Sequence, residues 1–109
     1  MGNKKFGSIG ETLAVTYLEN NNFEVLNRNF RKKYGEIDII ALRCGILHFI
    51  EVKTRATDKF GRPVESVDRK KRAKIFKVAQ AYVKENNQAY ESFRFDVIEI
   101  SLNHIEGGF

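Results

Sequence analysis

Glu51 follows Asp38 by thirteen positions, and Lys53 stands two positions further on. All three lie inside apolar runs with the look of strands, Gly35–Leu42 and Ile46–Lys53. An unpaired charge costs several kcal/mol to bury, or is forced to neutralise. Two carboxylates and an ammonium on adjacent strands have a joint use: holding a hard divalent cation with a lysine beside it. Mg²⁺ suits such a set, since it takes oxygen ligands in octahedral geometry and keeps several waters beside one or two carboxylates. A cation held there can polarise a phosphate oxygen and activate a water for in-line attack. Lys53 can orient that water or offset charge developing at phosphorus. The competing reading is a cross-strand salt bridge among the three residues, which contributes only ~0.2–1 kcal/mol. The flanking residues favour the metal. Ile37, Ile39 and Ile40 on one side and Phe49, Ile50 and Val52 on the other predict central strands, where a polar group needs a functional reason.

The elements that must position these residues are legible from periodicity. Residues two apart on a strand share a face, so Glu36 pairs with Asp38 and Glu51 with Lys53. Arg43-Cys44-Gly45 joins the two strands as a hairpin, which sets Asp38 and Glu51 side by side. Ahead of them, Ser8 to about Asn20 reads as a helix with Leu13, Ala14, Tyr17 and Leu18 on its apolar stripe. Ser8 followed by Glu11 is a capping-box pattern. Glu11 therefore has two readings of equal standing, a local cap or a third carboxylate facing the same site. Phe23–Phe30 reads as a first strand, and Arg31-Lys32-Lys33-Tyr34-Gly35 as a basic turn.

Thr54 to Pro63 reads as a polar loop. Ser66 is the expected N-cap of a long helix ending near Asn86, with Ile75, Phe76, Ala79, Tyr82 and Val83 on its apolar face. Phe93–Ile100 is the last strand; Phe93, Phe95 and Val97 occupy one face and Arg94, Asp96 and Ile98 the other. The order α-β-β-β-α-β predicts an α/β fold, a mixed sheet with a helix on each face. The last strand should join in parallel through the long helix.

The 109 residues fit a single domain, 1–109, and 42% hydrophobic with 30% charged residues is a globular composition. No apolar run reaches the ~20 residues of a membrane span, and residues 1–6 carry no stretch suited to a signal peptide. One cysteine, Cys44, and two histidines, His48 and His104, exclude an internal disulfide and a thiolate-rich zinc site. A reducing cytoplasm fits. His48 reads as a packed or half-exposed residue of the third strand, and Asp96 as a partner of residues near Arg94 or of a basic residue on the long helix.

A net charge of +5 favours polyanions. Arg69, Lys70, Lys71, Arg72, Lys74 and Lys77 crowd the start of the long helix, where cations oppose the helix dipole. A solvated face is the bland account. A one-signed run that works against its own helix favours phosphate contact, and Arg31, Lys32, Lys33 and Arg55 extend the basic surface. Gln80 lies on the Arg69–Arg72–Phe76 side of the helix, either solvated or reaching the site.

Asp38…Glu51-Val52-Lys53 resembles the PD-(D/E)XK signature of restriction-endonuclease-like nucleases. Gly10-Glu11, Tyr17-Leu18, Asn27-Arg28-Asn29, Gly35–Ile40, Phe49–Arg55, Ala81-Tyr82 and Arg94–Val97 extend the likeness over nearly the whole chain. In this wider pattern the sequence resembles the bacterial YraN-like family, itself similar to archaeal Holliday-junction resolvases. The resemblance implies a restriction-endonuclease-like core and a DNA endonuclease dependent on Mg²⁺ or Mn²⁺, with branched DNA as one substrate and a homodimer by analogy. It implies Asp38 and Glu51 as metal ligands, Lys53 as the catalytic lysine, Glu11 as the helix-borne carboxylate and Gln80 as an accessory residue. Ile37 stands where the signature has proline. A non-cleaving nucleic-acid-binding module of the same fold is the alternative.

Overall fold

The computed structural model describes the backbone of residues 2–55 and 69–109, with side chains described for 9–54 and 69–109. Six elements follow in the expected order: α1 (Gly2–Asn20), β1 (Glu24–Lys32), β2 (Gly35–Arg43), β3 (Ile46–Arg55), α2 (Arg69–Asn86) and β4 (Ser92–Ser101). The strands form one mixed sheet in the order β1-β2-β3-β4. β1, β2 and β3 are antiparallel neighbours, and β4 lies parallel to β3. A parallel partner requires a crossover, and α2 lies in it.

Each face of the sheet carries one helix. Ala14 and Leu18 of α1 pack on Ile39, Ala41 and Ile50. Val78, Ala79 and Tyr82 of α2 pack on Ile37, Ile40, Leu47 and Phe49 on the other face. The β2–β3 hairpin closes through Cys44 and Gly45, with φ of 53° and 76°, between the paired residues Arg43 and Ile46. Positive φ at both central positions is the two-residue type I′ geometry, whose twist matches that of the strands.

Several sequence expectations shift. α1 begins at Gly2, so Ser8 is an interior helical position and no N-cap. The capping box therefore does not explain Glu11. Leu13 and Tyr17 are exposed rather than packed; α1 rests on the sheet through Ala14 and Leu18. On α2, Phe76 is exposed, and Val78 takes the buried place expected of it. Phe93, Phe95 and Val97 of β4 are also exposed, whereas Ile98 and Ile100 pack toward α1. One cause accounts for these shifts on the α2 side: the helix sits over β2 and β3 and stops short of β4, the edge strand. The expected loop from Thr54 to Pro63, apart from Thr54 and Arg55 in β3, and the cap at Ser66 lie outside the described residues.

Candidate functional site

The β2–β3 ladder runs from Arg43↔Ile46 to Ile39↔Ile50 and ends there. Asp38 and Glu51 would be the next pair. Instead, the Val52 amide donates to Asp38 Oδ2 at 2.8 Å. A side-chain carboxylate replaces a backbone carbonyl, and the two strands part at this point. The β1 side shows the same break, for Arg28 pairs with Ile39 and Phe30 with Ile37, while Asn29 and Asp38 between them are skipped. Asn29 has φ of 55°. Asp38 thus stands where both neighbouring ladders are interrupted.

Its carboxyl is pushed up from 3.8 to about 7. Burial is the largest cause, and the negative charges of Glu51, Glu11 and Glu36 add to it against the Val52 hydrogen bond. Desolvation and like charge both disfavour the ionised form. The fold therefore brings Asp38, Glu51 and Glu11 into one field, with Glu36 as a fourth member.

Each neighbouring carboxylate already has a cationic companion. Glu51 Oε1 lies 2.6 Å from Lys71 Nζ of α2. Glu11 Oε1 lies 3.9 Å from Arg28 Nη2, which also reaches Thr12 Oγ1 at 3.4 Å. Glu36 accepts two bonds from the Arg31 guanidinium, at 2.7 and 3.1 Å. Among the described residues, no three His, Cys, Asp or Glu side chains are gathered as a metal cage. Lys53 is buried, 7% exposed, in the strand that carries Glu51.

Gly10 explains how α1 comes close enough to present Glu11. A β-carbon there would run into the Thr54 hydroxyl, so glycine permits the approach of α1 to β3.

The basic residues divide. Lys70, Arg72 and Lys74 are exposed on α2 with Arg69, a helix that carries seven basic side chains against one carboxylate. The expected basic turn narrows to Lys33 and Tyr34, since Arg31 and Lys32 end β1 and Gly35 begins β2; this end of the hairpin lies against α2, with a β-carbon built on Gly35 3.4 Å from Lys74 Cβ. Arg31 is engaged by Glu36 and Lys32 by Glu85, whereas Lys33 joins no salt bridge among the described residues. Arg55 ends β3; its side chain lies outside those described. Gln80 is exposed, one turn beyond Phe76.

Two arrangements were not foreseen. Lys71, grouped with the basic surface, reaches into the site. Asp96, expected to meet a basic neighbour, pairs with His48 instead, Oδ2 to Nδ1 at 2.6 Å. His48 is buried edge-on against Phe23 at 4.9 Å. The diagonal across the parallel β3–β4 pair, where His48 sits opposite Arg94, is the signal that would have found it.

Comparison with known proteins gives a consistent answer. The family described as "Uncharacterised protein family UPF0102" matches residues 10–100. A UPF0102 protein of Alkaliphilus oremlandii is 45% identical, covering 98% of this chain and 99% of its own. One from Clostridium acetobutylicum is 45% identical over 94% of this chain and 84% of its own. A third, from Dictyoglomus turgidum, is 46% identical over 94% and 87%. Such identity over nearly full length leaves one assignment, and the chain belongs to the UPF0102 family.

Proposed function

We propose that this protein is a divalent-metal-dependent endodeoxyribonuclease that hydrolyses phosphodiester bonds, with branched DNA as one substrate. The observation that carries this reading is the state of Asp38. Its carboxyl is pushed up to about 7 at the parted end of two central strands, surrounded by the charges of Glu51, Glu11 and Glu36. A fold that concentrates carboxylates at a break in its sheet gains from a positive charge placed among them.

The donor set fits a hard cation, since Asp38, Glu51 and Glu11 offer carboxylate oxygens. Asp38 and Glu51 would hold Mg²⁺ or Mn²⁺, with Glu11 beside them. Once bound, the metal would supply Lewis acidity at a phosphate oxygen and a water of lowered pKa. The remaining work falls to the chain. The Val52 amide fixes the Asp38 carboxylate. Lys53 supplies the positive charge that offsets charge developing at phosphorus. Exposed cations of α2 and Lys33 hold the phosphate backbone in register. The restriction-endonuclease-like character of the core and a two-fold dimer on a branched substrate belong to this reading by resemblance.

The second reading, a nucleic-acid-binding module that does not cleave, has one observation in its favour. The Lys71 ammonium already neutralises Glu51, as a non-catalytic site would require. A cleavage assay separates the two. Labelled single-stranded, duplex, flap and four-way-junction DNAs are incubated with Mg²⁺ or Mn²⁺ and with EDTA, beside Asp38→Asn. Metal-dependent cutting lost in the variant is the expected result. Tight, salt-sensitive binding without cutting would favour the module.

A further inference from the structure

Between α2 and β4 runs a cleft of about 410 Å³. Ile75, Phe76 and Arg72 form one wall, Phe95 and Val97 the other, and Phe49 the floor. Glu51 opens onto the same cleft. The aromatic rings are ordered as a surface. Phe95 stacks on Phe49 at 5.2 Å and 25°, Phe93 continues the stack at 6.4 Å and 22°, and Phe76 meets Phe95 edge-on at 4.5 Å. Phe76, Phe93 and Phe95 nevertheless remain 45–48% exposed. Solitary exposed apolar residues are ordinary, but a contiguous patch marks a binding surface.

The composition of the rim selects the occupant. The cleft borders the seven-cation helix α2, with the Arg72 guanidinium in its wall. An apolar protein partner has no use for that charge, whereas a nucleotide presents a flat π-face and a phosphate together. Aromatic platforms beside cations are how proteins bind unstacked bases. A base paired within a duplex cannot lie there, because its faces are covered by its neighbours.

From this we infer that the Phe49–Phe76–Phe95 cleft receives one unstacked nucleobase, next to the phosphate presented to Glu51. This rests on the DNA reading above and sharpens it. The site selects strands carrying an unpaired base, as at a bulge, flap or junction, over continuous duplex. Phe76 and Phe95 are the selecting residues, and Arg72 holds the flanking phosphate.

The test uses the full chain and short duplexes carrying 2-aminopurine, either unpaired in a one-base bulge or paired in a matched duplex, in EDTA. Anisotropy reports binding, and 2-aminopurine emission reports stacking. The parent is compared with Phe95→Leu and Phe76→Leu, which keep apolar bulk and remove the ring. Expected are changed emission of the unpaired probe only, loss of that change in both variants, and bulge affinity weakened about tenfold, the scale of one base–aromatic stack. Matched-duplex affinity should move less than twofold. Bound DNA with unchanged emission would overturn the inference and leave the nuclease reading standing, since no cleavage is measured. Variants that weaken both DNAs equally would overturn it too. So would variants that alter only the sedimentation of the free protein, which would give the cleft to a second copy of the chain. Absence of any DNA binding would remove the DNA reading itself, and the inference with it.

Discussion

Asp38 Oδ2 takes the Val52 amide hydrogen bond that a strand carbonyl would otherwise accept, at 2.8 Å. The bond holds the carboxyl in place while burial and neighbouring carboxylates push its pKa up to about 7. Folded Asp38 therefore keeps its proton at pH values where the unfolded residue, near 3.8, has lost it. Between those values the native state binds more protons, and stability falls as pH rises. The contribution is full below about pH 4 and gone above about pH 7. Asp38→Asn should flatten this slope and, in metal-free buffer at pH 8, be about 1–2 kcal/mol more stable than the parent. Urea midpoints from pH 4 to 8 for both proteins check it. A parent whose stability rises across that range would contradict the shift.

The same carboxyl ties metal binding to proton release. A cation needs the ionised form, so binding at pH 6.5 should expel roughly half to one proton. Calorimetric titration with Mn²⁺ in two buffers of different ionisation enthalpy measures that number. Asp38→Asn should release none, and the parent should release fewer as pH passes 8.

Lys71 holds Glu51 at 2.6 Å, so a metal that needs Glu51 competes with it. Lys71→Met leaves Glu51 to the cation and should tighten Mn²⁺ binding about threefold to tenfold. The lysine side chain is 46% exposed but the Glu51 side chain only 11%, so without metal the variant leaves a largely buried carboxylate without this partner and should be less stable than the parent. Added Mn²⁺ should recover much of that loss. Weaker metal binding in Lys71→Met would mean that the lysine supports the site rather than blocks it.

The order of the elements, the crossover and the Asp38–Glu51 proximity were legible because hydrophobic period and a short hairpin fix them locally. What the sequence did not reveal depends on where each helix lands. Leu13 and Tyr17 carry the right spacing for a core, yet α1 settles on Ala14 and Leu18, whose small and branched side chains allow closer approach. Phe76 reads as part of the packed face of its helix for the same reason, and Phe93, Phe95 and Val97 form one apolar face of the last strand. Only the offset of α2 toward β2 leaves them in the open. The Lys71–Glu51 ion pair joins residues distant in sequence on a helix and a strand, so no spacing rule announces it, whereas the His48–Asp96 contact follows from the β3–β4 register once that register is known.

Asn29 offers a backbone test of the site. Arg28 and Phe30 are two apart on β1 and should share a face. Yet Arg28 reaches Glu11 on α1, while the Phe30 ring packs on Tyr82 of α2 at 5.1 Å. Across the pair, Ile37 joins the α2 core and Ile39 the α1 core. Both strands exchange faces at the same level, around Asn29 and Asp38. The φ of 55° at Asn29 makes the exchange possible, a conformation open to asparagine and glycine but costly for a β-branched residue. Asn29→Gly should stay within about 1 kcal/mol of the parent, and Asn29→Val should lose about 1–3 kcal/mol. If the exchange also sets Asp38 between its neighbours, Asn29→Val should lower the Asp38 pKa toward its ordinary value, read by carboxyl-carbon NMR titration. A valine variant that loses stability but keeps that carboxyl near 7 would confine Asn29 to a structural role.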